Sequence, residues 1–97
     1  MVVDKKVFEF EWDKGNIGKN KKHRVGEKEA EEPFFDEDKV ISKDVLHSKI
    51  EERFILLGKT RKERLLYIVF TRRDNSIRII SARDINKKEV HLYEKAT

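Results

Sequence analysis

The chain contains no cysteine among its 97 residues, and it has no long apolar run. The absence of cysteine excludes disulfides and thiolate metal sites and fits a reducing compartment. The N-terminal sequence MVVDKKVFEFEW lacks the apolar segment of a signal peptide, and no stretch approaches membrane-spanning length. We therefore expect a soluble, cytoplasmic protein that forms one domain over residues 1–97.

Acidic residues are scarce in the second half of the chain, although the net charge is only +4. Residues 1–52 carry 11 Lys and Arg against 14 Asp and Glu, whereas residues 53–97 carry 12 against 5. Seven of the eight arginines lie at or after Arg53. A basic half of this kind attracts a polyanion. The alternative is that a small domain simply needs a charged surface.

Hydrophobic periodicity, caps and turns predict an α+β domain with an antiparallel sheet and the order β-α-α-β-β-β-β-α. Pro33 is expected to kink the second helix or end it early, and Asp84 is expected to be the N-cap of the last helix. The predicted strands are residues 7–12, 39–42, 53–59, 64–72 and 77–84, and the predicted helices are residues 13–25, 27–35 and 85–95.

The segment RLLYIVFTRRDNSIRIISAR, residues 64–83, carries the most functional information. Two apolar, β-branched runs flank a polar turn at Asp74-Asn75, and five arginines lie within them or at their ends. The planar guanidinium donates hydrogen bonds in pairs and stays charged, which suits it to phosphate. The hairpin therefore predicts an anion site on a rigid pair of strands.

One ordered set of motifs extends over residues 8 to 94. Its most specific parts are R-I-I-S-A-R at residues 78–83 together with His47-Ser48 and E-E-R-F at residues 51–54. The other positions of the set are Phe10, Glu11, Trp12, Asp13, Asn20, Lys22, His23, Glu29, Ala30, Phe34, Phe35, Leu57, Gly58, Glu89 and Tyr93. In this order and at nearly this spacing, the sequence resembles BrnT toxins.

The resemblance implies a RelE-like fold and a small ribonuclease, the toxin of a type II toxin–antitoxin pair that inhibits translation and growth. It also implies a BrnA-like antitoxin, in a complex with two copies of each protein, and operator DNA contacted only through the antitoxin. Two other functions remain open from the residues alone. One is a nucleic-acid-binding module without catalysis, and the other is a protein-interaction subunit whose arginines meet an acidic partner.

Metal-independent RNA cleavage needs a proton acceptor for the ribose 2′-OH, cations for the phosphorane charge and a proton donor for the leaving 5′-oxygen. Histidine suits the proton transfers because it titrates near neutrality. The three histidines share no ligand spacing with one another, so we expect neither metal nor cofactor.

Arg83 and Arg64 are the predicted catalytic arginines. Arg83 ends a strand and precedes a helix, so a phosphate could meet both its guanidinium and helix N–H groups; the alternative is a salt bridge to Glu89 or another carboxylate. Arg64 lies near the same end of the hairpin if Asp74-Asn75 is the turn. Its alternative is a solvated strand end.

Arg78 is predicted to bind substrate, but residues five apart in a regular strand face opposite ways. Arg78 and Arg83 therefore cannot face one substrate unless a bulge intervenes, and Arg78 would otherwise serve the antitoxin interface or pair internally. Arg72 and Arg73, beside the turn, are expected to be solvated or to contact the RNA backbone.

The remaining candidates depend on the family resemblance. It implies a catalytic or substrate role for His23, in the basic cluster KKHR, and a substrate-binding role for Lys22. Tyr93, four residues after Glu89 on the last helix, either packs in the core or forms a hydrogen bond near the phosphate.

Overall fold

A computed structural model describes residues 9–12, 24–47, 51–73 and 75–96. Within these ranges the strands are β1 (Glu9–Glu11), β2 (Val40–Lys43), β3 (Phe54–Lys59), β4 (Leu65–Arg73) and β5 (Ser76–Asp84). The α-helices are α1 (Glu27–Glu31) and α2 (Lys87–Ala96), and short 3-10 helices span Glu32–Phe35 and Val45–His47. Residues 13–23 of the predicted first helix lie outside the described residues, and Arg24 and Val25 are not helical.

The five described strands form one mixed sheet in the order β1-β5-β4-β3-β2. Strands β2 to β5 pair antiparallel with their neighbours, as predicted. The prediction of a fully antiparallel sheet was wrong, because β1 runs parallel to β5. A hairpin joins two consecutive strands and makes them antiparallel. The connection from β1 to β5 instead contains β2, β3 and β4, and a connection of that length permits parallel pairing.

One face of the sheet carries the hydrophobic core, and we call it the core face. Helix α1 and the following 3-10 helix cover this face through Ala30 and Phe34. Phe34 packs edge-on against Phe10 of β1 and Phe70 of β4, with ring centroids 5.1 and 5.0 Å apart. The strand residues that complete the core are Leu56, Leu66, Ile68, Phe70, Ile77, Ile79 and Ala82.

Pro33 ends the α-helical geometry of the second predicted helix, as expected. Helix α1 stops at Glu31, and the chain continues as a 3-10 helix with Pro33 in its first turn. Pro33 is buried against Gly58 of β3, where an added Cβ would lie 2.8 Å from the Pro33 Cβ. Only glycine allows the two segments to approach so closely.

The N-cap of α2 is Asn86 and not the predicted Asp84. The Glu89 backbone N–H donates to Asn86 Oδ1 at 2.9 Å, and the Asn86 backbone N–H donates to Glu89 Oε1 at 2.8 Å. This reciprocal pair is a capping box. Asp84 is still within β5, opposite Leu66, so its side chain is not placed to cap the helix.

A β-bulge interrupts the pairing of β4 with β5. Val69 lies opposite Ser81, but the next residue, Phe70, lies opposite Ile79. Ile80 is therefore the extra residue on β5, and side-chain alternation shifts by one position there.

Among the described helices, none is both long and apolar enough to cross a membrane.

Candidate functional site

The bulge at Ile80 brings Arg78 and Arg83 to the same face of the sheet. Arg83 lies opposite Tyr67 and Arg78 lies opposite Thr71, and Tyr67 and Thr71 are four residues apart in a regular strand. The bulge that the sequence requires for Arg78 and Arg83 to share a face is therefore present in β5. We call this surface the arginine face; its half-exposed members are Tyr67, Val69, Arg78, Ser81 and Arg83.

Arg83 is held in one orientation by three neighbours. Its Nη1 and Nη2 donate to the two carboxylate oxygens of Glu89 at 2.9 and 2.8 Å. Nη1 also donates to the carbonyl oxygen of Asp84 at 2.9 Å. The guanidinium carbon lies 3.9 Å from the centroid of the Tyr67 ring, which is a cation–π contact.

These contacts fix the charges of the cluster. The hydrogen bonds from Arg83 lower the pKa of Glu89, and the hydrogen bond to Glu89 raises the pKa of Arg83. Burial raises the pKa of Tyr67, with the charge of Arg83 acting in the opposite direction. At neutral pH the cluster therefore holds a guanidinium, a carboxylate and a neutral phenol.

The sequence predicts a phosphate site between Arg83 and the start of the last helix. In the structure the carboxylate of Glu89 lies at this position. The Glu89 carboxylate accepts hydrogen bonds from Arg83 and from the backbone N–H of Asn86. The alternative weighed for Arg83, a salt bridge to Glu89, is thus present in the structure. A catalytic role for Arg83 remains a prediction.

Arg64 lies at the same end of the hairpin as Arg83 but reaches the core face of the sheet. Its Nε and Nη2 donate to the Asp84 carboxylate at 2.6 and 3.0 Å. Its Nη1 donates to Glu29 Oε1 of α1 at 2.8 Å and to the carbonyl oxygen of Arg24 at 3.1 Å. The hydrogen bond to Asp84 raises the pKa of Arg64. All three guanidinium nitrogens therefore contact groups of the fold.

The comparison with protein families agrees with the resemblance seen in the sequence. The model of the ribonuclease toxin BrnT of type II toxin–antitoxin systems matches residues 12–89. The chain belongs to the BrnT family. No curated protein matches it. The BrnT match begins at Trp12, includes both arginine clusters described above and ends at the carboxylate that holds Arg83.

Two further arginines of this BrnT chain lie near the hairpin turn. Arg72 is exposed. Arg73 donates from Nε and Nη2 to Glu51 Oε2 at 3.2 and 3.1 Å. Its Nη1 lies 4.0 Å from Glu11 Oε2. The prediction that both contact RNA stays a prediction. Lys22 and His23, which also belong to the BrnT match, lie outside the described residues.

Tyr93 is buried, and its hydroxyl donates to Asp36 Oδ2 at 2.6 Å. Burial and this hydrogen bond raise the pKa of Tyr93. The same Asp36 oxygen accepts the backbone N–H of Lys59 at 2.8 Å. Tyr93 therefore joins α2 to the end of β3, which agrees with packing within the fold, the first of the two alternatives weighed for it. A contact of Tyr93 with substrate remains a prediction.

Sequence reasoning missed Tyr67 and Asp36. Without a bulge, a two-residue turn at Asp74-Asn75 would place Tyr67 opposite Ala82 and not opposite Arg83, so the sequence held no signal for this pair. The described residues contain no group of three or more His, Asp or Glu side chains that could hold a metal. The prediction of a metal-independent site remains a prediction.

Proposed function

We propose that this BrnT chain is a metal-independent endoribonuclease with a RelE-like fold, which cuts RNA on its arginine face and thereby inhibits translation and growth. The observation that carries the proposal is the bulge in β5, which brings Arg78 and Arg83 to one half-exposed face. Membership of a ribonuclease toxin family supports the choice of RNA as the polyanion.

The proposed reaction is transfer of the phosphoryl group within the RNA. The ribose 2′-oxygen attacks phosphorus, its proton goes to a base, and the bond from phosphorus to the 5′-oxygen breaks as an acid protonates that oxygen. Arg83 stabilises the extra charge of the phosphorane. His23 is the candidate for one of the two proton transfers, because imidazole titrates near neutrality.

Arg78 and Arg83 would contact different phosphates of the same strand. Their partners Thr71 and Tyr67 are four residues apart on β4, so at about 3.3 Å per residue the two arginines lie roughly 13 Å apart along the sheet. Glu89 and the Asp84 carbonyl hold the Arg83 guanidinium toward the end of β5 away from Arg78, so we expect one phosphate to contact only one of the two groups. We therefore assign Arg83 to the phosphate that reacts and Arg78 to a neighbouring phosphate, with Lys22, Arg72 and Arg73 as further backbone contacts.

The partner proposed for this chain is a BrnA-like antitoxin in a cytoplasmic complex with two copies of each protein. A type II toxin family implies an antitoxin, and operator DNA would be contacted only through it. Expression of the chain alone should stop growth, and co-expression with the product of the neighbouring antitoxin gene should restore it. The mass of the purified complex gives the stoichiometry.

Cleavage of RNA in the presence of EDTA tests the proposed reaction. We expect the purified chain to shorten a single-stranded RNA with EDTA present, and Arg83→Ala to lose this activity while its unfolding transition remains cooperative. Arg61→Ala is the matched control, because Arg61 is an exposed arginine in the turn before β4. It should cut RNA at the wild-type rate.

Each other outcome of this experiment points to a different function. Binding of RNA without fragments would identify a nucleic-acid-binding module, and EDTA-sensitive cleavage would contradict metal independence. If the chain neither binds nor cuts RNA and does not slow growth, the arginines serve a protein partner. Unchanged cleavage by Arg83→Ala would move the active site away from the arginine face.

A further inference from the structure

We propose that Glu89 is a positioning residue, which holds one edge of the Arg83 guanidinium so that the other edge faces the RNA phosphate. This inference rests on the proposed function. It assigns a role to a carboxylate that would otherwise count only as a salt-bridge partner or as a competitor of the substrate.

The hydrogen-bond donors of Arg83 divide into two edges. The edge formed by Nη1 and Nη2 is occupied by the two oxygens of Glu89, and the second Nη1 hydrogen goes to the Asp84 carbonyl. A guanidinium has five N–H donors in a fixed plane. Within the described residues no acceptor takes the Nε hydrogen or the second Nη2 hydrogen, and these two point the same way. They form a second fork of the kind that binds phosphate in pairs.

Exposure shows which partner of the ion pair faces the solvent. The Arg83 side chain is 35% exposed, whereas that of Glu89 is 14% exposed. A phosphate that approaches over the arginine face therefore meets Arg83 first, with Glu89 behind it. The Tyr67 ring below the guanidinium and the Asp84 carbonyl beside it also oppose rotation. A cation held in this way stabilises developing charge without reorganising during the reaction.

Glu89 is poorly suited to be the base of the reaction. Its carboxylate is engaged by Arg83 and by the Asn86 N–H, and these hydrogen bonds stabilise the charged form over the protonated one. Its contribution is therefore to orient Arg83 and not to accept a proton from the substrate. This distinction predicts a specific pattern in the kinetics.

Glu89→Gln separates positioning from competition. The amide keeps the shape of the side chain but replaces one acceptor of the fork by a donor, so Arg83 loses its fixed orientation. We expect kcat for RNA cleavage to fall by about 10–100-fold while KM stays the same or decreases. Glu94→Gln, an exposed position on the same helix, should leave both constants unchanged. Thermal unfolding of each variant identifies the temperature range in which it is folded.

A second readout does not depend on activity. The Nε–H resonance of Arg83 is followed by NMR while a 2′-O-methyl RNA, which cannot be cut because its 2′-oxygen is blocked, is added to the full chain. We expect a sharp signal that shifts on RNA binding in the wild type, and a broadened signal with little shift in Glu89→Gln.

Three results would overturn the proposal. A rise in kcat/KM for Glu89→Gln would show that the carboxylate competes with RNA, and unchanged constants would show that it has no role. An Arg83 Nε–H signal that does not respond to bound RNA would place the phosphate elsewhere. Failure of the wild type to cut RNA would contradict the proposed function alone, because the NMR titration still tests the orientation of Arg83.

Discussion

At the scale of single residues, the arginines of the hairpin differ in the groups to which they donate hydrogen bonds. Arg64 contacts two carboxylates and a carbonyl with its three nitrogens. Arg83 directs the edge formed by Nη1 and Nη2 to the carboxylate of Glu89. The sequence predicts both as catalytic; it offers Glu89 as an alternative partner for Arg83, but it does not show that Asp84 and Glu29 meet at Arg64.

Arg64→Ala should lower the free energy of unfolding by about 1–2 kcal/mol. Loss of the guanidinium leaves the half-buried Glu29 carboxylate without a cation, and charged hydrogen bonds of this kind contribute about 1.5–3 kcal/mol. Asp84 is more exposed, so solvent screening reduces its share. Urea unfolding measures the difference, with Arg61→Ala as a control that should stay within about 0.5 kcal/mol of the wild type. Equal stability of all three proteins would contradict a structural role.

The Arg83–Glu89 pair predicts a pH-dependent contribution to stability. The pKa of Glu89 is lower in the folded chain than in the unfolded chain, so the contribution is present above the unfolded value of roughly 4.3. It is lost as pH falls through the folded pKa. Glu89→Gln should therefore cost about 1 kcal/mol at pH 7, and this cost should shrink progressively as the pH falls below the unfolded value. Urea unfolding of both proteins at each pH gives the comparison, and a difference independent of pH would exclude the ion pair as its source.

At the scale of secondary-structure elements, the strands and the last helix lie close to the ranges predicted from the sequence. Helix α2 starts later than predicted because Asn86 and Glu89 form a reciprocal cap, whereas Asp84 is taken up by β5 and by Arg64. The bulge at Ile80 could not be predicted, because residues 77–80 and 82 are all apolar or arginine and carry no glycine or proline to mark it. That single residue decides the composition of the arginine face.

Gly58→Ala tests the contact between the 3-10 helix and β3. An added Cβ would lie 2.8 Å from the Pro33 Cβ and 2.9 Å from the Pro33 carbonyl oxygen, both parts of a rigid segment. We expect a loss of about 1–3 kcal/mol in unfolding free energy. Gly26→Ala is the matched control, since nothing lies within 4 Å of its added Cβ. Denaturant midpoints measure both, and similar values for the two variants would show that β3 can shift to accept a side chain.

At the scale of the whole molecule, the topology separates the charges that the sequence distributes between its two halves. Helix α1 and the following 3-10 helix, which contain four glutamates, cover the core face. The RIISAR strand lies between β1 and β4 with its arginines on the opposite face. The sequence predicts the charge imbalance but not this separation, which depends on the face of the sheet that α1 covers and on the bulge in β5.

The affinity of the arginine face for a polyanion should fall with salt, with a slope set by the number of contacts between arginine and phosphate. For single-stranded nucleic acid, the slope of log K against log salt is about −0.7 for each neutralised phosphate. If Arg78 and Arg83 each contact one phosphate of an uncleavable 2′-O-methyl RNA, Arg78→Ala should reduce the slope by about 0.7 and the double variant with Arg83→Ala by about 1.4. Arg61→Ala removes the same charge from an exposed turn and should leave the slope almost unchanged. Equal reductions for Arg61→Ala and Arg78→Ala, measured by fluorescence anisotropy across a salt series, would mean that RNA senses only net charge and that the bulge does not create a binding surface.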